Sequence, residues 1–96
     1  MLYALICTDK PNASALRGEV RPRHLAYIES RKSEVKIAGP FVSEDGKTML
    51  GSLIVIEAAD LAAARAFSAQ DPYTQAGLFA NVDVRPWRWT MGAPKE

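Results

Sequence analysis

Apolar positions fall in short runs separated by polar breaks. Residues 2–8, Leu-Tyr-Ala-Leu-Ile-Cys-Thr, form a continuous apolar run of strand length that Asp9 and Pro11 stop. A run without alternation marks a central strand covered on both faces. Residues 11–20 are small and polar and predict a loop or a loose turn. Pro22 then reads as the first residue of a long helix starting at Arg21 or Pro22. In that helix Leu25, Ile28 and, more weakly, Ala26 supply the apolar stripe, and Glu29, Arg31, Lys32 and Glu34 the solvated face.

Residues 35–42 alternate until Gly39-Pro40, which predicts a second strand with a bend or bulge there. Asp45-Gly46 favours a tight reversal into a return strand, residues 51–57, rich in β-branched side chains. Asp60 is a good N-cap for a helix that places Leu61, Ala64 and Phe67 on one face. A short helix-like segment at 72–78 and a last strand at 82–90 complete the chain, and Pro86 assigns that strand to an edge or bulge. The order is β-α-β-β-α-β, an α+β ferredoxin-like plan with one antiparallel sheet and helices on one face. The second sheet face also carries apolar residues, so a homodimer is expected to cover it.

Composition narrows the function classes. The 96 residues, 48% of them hydrophobic, suffice for one core, so residues 1–96 are read as a single domain with no room for a separate cofactor domain. Twelve basic residues nearly balance eleven acidic ones, which offers no electrostatic case for nucleic acid or a membrane surface. A small-molecule ligand is the better expectation. Cys7 is the only cysteine, which excludes an internal disulfide and fits a cytoplasmic setting. No metal site and no nucleotide cofactor is implied. One histidine and one cysteine do not build a zinc site, and the glycines form no phosphate loop.

His24 is the only histidine. Near the start of a helix it would meet partly positive N–H groups, which keep the ring neutral and available as a base. Asp71, in Gln70-Asp71-Pro72-Tyr73, can orient such a ring if it folds back against it, although Asp before Pro is equally a plain helix cap. Ser52 and Tyr73 are candidate donors to a developing oxyanion, and Arg21 or Arg23 could receive a substrate carboxylate. Each also has a structural reading, as strand-edge hydroxyl, core aromatic or surface charge. The Trp87/Trp89 pair reads as packing on one face of the last strand.

Several motifs in order resemble the YciI-like (YCII-related) family. They are a first strand ending in Asp9-Lys10, Arg21-Pro22-Arg23-His24-Leu25, Ala38-Gly39-Pro40, Gly51-Ser52, Asp71-Pro72-Tyr73 with Ala76-Gly77, and Val84-Arg85-Pro86-Trp87. The resemblance spans nearly the whole chain and implies the dimeric α+β barrel version of the fold. It also implies a His/Asp dyad at His24 and Asp71, and kinship in fold with muconolactone isomerases. Two function classes follow. One is a cofactor-free lyase or isomerase acting on a small carbonyl or lactone compound, with His24 as general base. The other is a dimeric ligand-binding or accessory domain without turnover.

Overall fold

The computed structural model describes residues 1–94. Its elements are β1 (Leu2–Asp9), α1 (Ser14–Ser30), β2 (Val35–Val42), β3 (Met49–Glu57), α2 (Leu61–Gln70), α3 (Pro72–Gln75) and β4 (Phe79–Trp87). The strands form one antiparallel sheet in the order β2-β3-β1-β4, the split βαβ arrangement, with β1 central and Pro86 on the edge strand β4 as expected. Tyr3, Leu5 and Cys7 of β1 and Ile54 and Ile56 of β3 face the helices and pack with Ala64 and Phe67 of α2. A second cluster, Val20, Tyr73 and Leu78, ties α1 to α3.

The sheet is open, and this corrects the expected dimeric α+β barrel. β2 and β4 are free edges, and four strands are half of the roughly eight that a small barrel needs to close on itself. On the face without helices Ile37, Phe41 and Trp87 stay 39%, 43% and 37% exposed. The face without helices is partly self-covered: Val55, paired with Ala4 and with Ile37, is only 1% exposed. Among the described residues no helix is long and apolar enough to cross a membrane.

Helix α1 departs most from expectation. It starts at Ser14, not at Arg21, so Pro22 lies inside it and His24 is far from its first turn. The helix-terminus field invoked for His24 is therefore absent. The start has no side-chain cap, Ala13 being its N-cap, which removes the usual sequence signal. Its buried residues are Arg17, Val20 and His24, whereas Leu25 is 47% exposed. The spacing i, i+3, i+7 is helical, but two of the three side chains are polar, so the stripe does not read as apolar.

Smaller differences have local causes. Gly39 and Pro40 pair in register with Leu53 and Ser52, and the irregularities fall instead at residues 35–37 and 41–42. The reversal after β2 is wider than a two-residue turn. Ser43 N–H donates to the Thr48 carbonyl, and Asp45 Oδ1 accepts from Ser43 Oγ and from Lys47 N–H. β4 begins at Phe79 and ends at Trp87, so Trp89 lies beyond the strand, its ring 5.6 Å from that of Trp87. Asp60 caps α2 as expected, its carboxylate accepting from Ala63 N–H at 2.8 Å.

Candidate active site

Residues 71–78 bring Asp71 to His24. The Asp71 side chain accepts from Tyr73 N–H at 2.9 Å and so caps α3, with Pro72 at its first position. The turn ends in a Schellman arrangement: Gly77, at φ 75°, lets Leu78 N–H reach the Tyr73 carbonyl and Gly77 N–H reach that of Thr74. Leu78 then anchors the segment in the core, fully buried beside Val20 and Tyr73. Each end of this tight turn is fastened, and Asp71 stands at its head.

His24 Nδ1 lies 2.9 Å from Asp71 Oδ1 and 3.1 Å from Oδ2. A carboxylate only accepts, so Nδ1 carries the proton and, in the neutral ring, Nε2 keeps its lone pair. Both residues are buried, His24 at 8% and Asp71 at 2% exposure. The imidazole stacks on the Tyr73 ring with centroids 4.1 Å apart and planes inclined by 16°. Carboxylate and aromatic ring together leave the imidazole little freedom to turn.

On the same side of the sheet, Arg17 makes a two-point ion pair with Asp9, Nε to Oδ2 at 2.7 Å and Nη2 to Oδ1 at 3.0 Å. Its Nη2 also donates to Ser52 Oγ at 2.9 Å, and its guanidinium lies over the Tyr73 ring, 4.6 Å from the centroid. Burial works against the Arg17 charge, but Asp9 outweighs it and holds the guanidinium above its ordinary pKa. Because Ser52 accepts from Arg17, its own hydroxyl proton remains free to donate. Burial raises the Tyr73 phenol above its usual range, against the pull of the Arg17 and Arg21 charges. The Cys7 thiol is pushed up to about 12 by burial and by the nearby Asp71 charge, which leaves it an inert core group.

These side chains border one cavity of about 200 Å³ between α1 and the β2–β3 ribbon. Arg17, Arg21, His24, Ser52 and Tyr73 line it, with an apolar wall from Leu25, Ile28, Pro40 and Ile54. Of the residues singled out in sequence, His24, Ser52, Tyr73 and Arg21 line it, and Asp71 stands behind the His24 ring. Arg23 does not line the cavity. Arg17 escaped sequence reasoning because residues 11–20 read as a loop, and Asp9 because it reads only as the stop of the first strand. The available signal was the i, i+7 spacing of Arg17 and His24 on one helical face. Among the described residues, no group of three or more His, Cys, Asp or Glu is placed to hold a metal ion.

An α+β ferredoxin-like domain with a buried His–Asp pair beside a small cavity is the frame of a small enzyme-like protein. Residues 1–88 match the YCII-related domain, and the chain belongs to that family. An uncharacterized protein of Haemophilus influenzae and protein YciI of Escherichia coli are each 34% identical to it over 95 residues, covering 92% of this chain and 97% of theirs. Among solved structures, 5-chloro-2-hydroxyhydroquinone dehydrochlorinase (TftG) of Burkholderia phenoliruptrix, in complex with 2,5-dihydroxybenzoquinone, is similar with a TM-score of 0.87. Its sequence identity is 32%, with 98% of this chain and 100% of that one covered. SnoaB, a cofactor-independent oxygenase of Streptomyces nogalater solved in a mutant form, is similar in fold alone, with a TM-score of 0.55 at 18% identity and 95% of each chain covered.

Proposed function

We propose that the protein is a cofactor-independent lyase or isomerase that moves a proton on a small cyclic carbonyl, lactone or hydroxylated-ring substrate. The observation that carries this reading is the His24–Asp71 pair at 2.9 Å, with Nε2 left as the free base. Nε2 takes a proton from a C–H beside the substrate carbonyl, or from a ring hydroxyl, and the electron pair moves onto the carbonyl or ring oxygen. Asp71 stabilises the imidazolium that forms. In an elimination, the electron pair then expels a leaving group such as chloride from an sp3 carbon, which a hydroxylated ring provides by first taking a proton at that carbon, and the imidazolium releases its remaining proton to solvent. In an isomerisation, the imidazolium returns the proton to a different carbon.

Ser52, which accepts from Arg17, and Tyr73 both line the cavity, and in this reading their hydroxyls donate to the developing oxyanion. The dehydrochlorinase named above supports the elimination branch, because its name describes loss of chloride from a hydroxylated ring. The lone buried Cys7 fits a reducing compartment such as the cytoplasm.

The test is turnover of chlorinated hydroxyhydroquinones and small unsaturated lactones by the wild type and by His24→Ala. Loss of about 100-fold or more in the variant, with ligand affinity retained, is the outcome expected of a general base. A protein that binds these compounds but converts none of them, with or without His24, is a binding domain instead.

A further inference from the structure

The His24 cavity does not end at Arg21. A second groove of about 290 Å³, lined by Arg17, Arg21, Lys47 and Met49 together with Ser14 and Thr48, shares Arg17, Arg21 and Met49 with it. The two spaces adjoin at these three side chains, one bordered by His24 and the other by the β2–β3 hairpin.

Positive charge along this space is uneven in its commitments. Arg17 is consumed by Asp9 and Ser52, with its side chain 5% exposed. Arg21 and Lys47 are exposed, and among the described residues their side chains make neither an ion pair nor a hydrogen bond. No aspartate or glutamate lines either part of the space. The chain as a whole is nearly neutral, with a net charge of +1, so two cations without an ion pair at one mouth are a local feature rather than a consequence of a basic protein. Lys47 is also not on a loose tip. Its backbone N–H is tied to Asp45 at 3.0 Å, and Thr48 N–H is tied to Ser43 Oγ at 3.1 Å, which orders the turn that carries it.

We propose that the ligand of this site carries a carboxylate, which Arg21 and Lys47 receive at the mouth while its reacting ring lies beside His24. This rests on the lyase or isomerase reading only for the position of the ring. One negative charge shared over two oxygens suits a guanidinium fork plus an ammonium, and the apolar wall of Leu25, Ile28 and Pro40 suits the ring between the two ends. The neighbouring Arg17 cannot serve as the receiver without leaving Asp9 buried and unpaired.

The experiment compares the affinity of the full chain for 2,5-dihydroxybenzoate and for 2,5-dihydroxybenzamide by titration calorimetry, in the wild type and in Arg21→Met/Lys47→Met. The two probes share a ring and differ in charge. The wild type is expected to bind the benzoate at least about tenfold more tightly, the lower end of what a charge-assisted hydrogen bond contributes. In the double variant that preference collapses to about twofold or less while amide binding persists, the lost discrimination being that of the two charges. Both side chains are exposed, so the variant is expected to fold, and its far-ultraviolet circular dichroism checks this. Equal affinities in the wild type, failure of both probes to bind, or a preference that survives the double substitution each overturns the proposal. The readout is binding alone, so it separates from the proton-transfer reading, which fails on the His24→Ala rates instead.

Discussion

The Asp71 carboxylate spans the Nδ1 edge of His24 at 2.9 and 3.1 Å across 47 positions of sequence, and the same carboxylate caps α3 through Tyr73 N–H. One side chain thus serves both the local fold and the orientation of the His24 ring. The two roles separate by substitution.

Asp71→Asn retains an oxygen that can cap α3 but loses the charge, whereas Asp71→Ala loses both. Thermal unfolding should therefore show Asp71→Ala as the less stable of the two by about 1 kcal/mol, the usual worth of an N-cap. In long-range ¹H–¹⁵N spectra the single neutral imidazole should be protonated at Nδ1 in the wild type. That tautomer preference should be lost in Asp71→Ala. An unchanged ¹⁵N pattern would mean that Asp71 does not hold the ring in solution.

The Arg17–Asp9 pair is buried, with side chains 5% and 6% exposed. Arg17→Met leaves the Asp9 charge without its partner and should cost about 3–5 kcal/mol in urea unfolding. The double variant Arg17→Met/Asp9→Leu removes both charges and should recover most of that loss. If the single variant is as stable as the wild type, the pair does not support the wall of the cavity.

Gly51 of β3 pairs with Thr8 of β1. A Cβ built there would stand 2.2 Å from the Cys7 carbonyl oxygen, which is backbone and has no flexible end to move aside. Gly51→Ala should destabilise by about 1–3 kcal/mol through overpacking. Because Ser52 is the next residue, the same variant should displace the hydroxyl that Arg17 holds. Urea unfolding checks the first effect. The turnover assay for His24→Ala checks the second, as a loss of rate in folded protein.

The Cys7 thiol, 1% exposed and raised to about 12, is expected to resist alkylation in the native state at pH 8. It should react fully once the protein is unfolded in guanidinium. Rapid native-state labelling by a thiol-specific chromophore would show that β1 opens on the timescale of the assay.

Several parts of this fold were legible before any coordinates. The unbroken apolar run of β1, the Asp60 cap of α2 and the edge position of β4 each rest on a local signal: hydrophobic period, capping chemistry or the missing proline donor. His24 and Asp71 were singled out as the only histidine and as an Asp-Pro turn. Their order in the chain matched a known family, and the chain belongs to it.

The start of α1 was not legible. Its first turn has no capping side chain, Pro22 imitates a helix start, and its buried face is built from Arg17 and His24, residue types that read as exposed. What makes those side chains tolerable inside is supplied from distant positions: Asp9 and Ser52 for Arg17, Asp71 and Tyr73 for His24. The expected barrel failed for a related reason. Apolar residues on both sides of a strand do not say whether neighbouring strands or another layer will cover them, and Val55 is buried between Ala4 and Ile37 in an open sheet.

Local sequence by itself therefore determined the element types and their order, and made His24 and Asp71 candidates, because periodicity, caps and side-chain chemistry act over a few residues. Only the tertiary structure decided that His24 is buried mid-helix, that Arg17 is spent on Asp9, and that Arg21 and Lys47 line one groove without an ion pair. Those outcomes depend on which groups meet across the sheet, where burial makes an unpaired charge costly and a paired one tolerable.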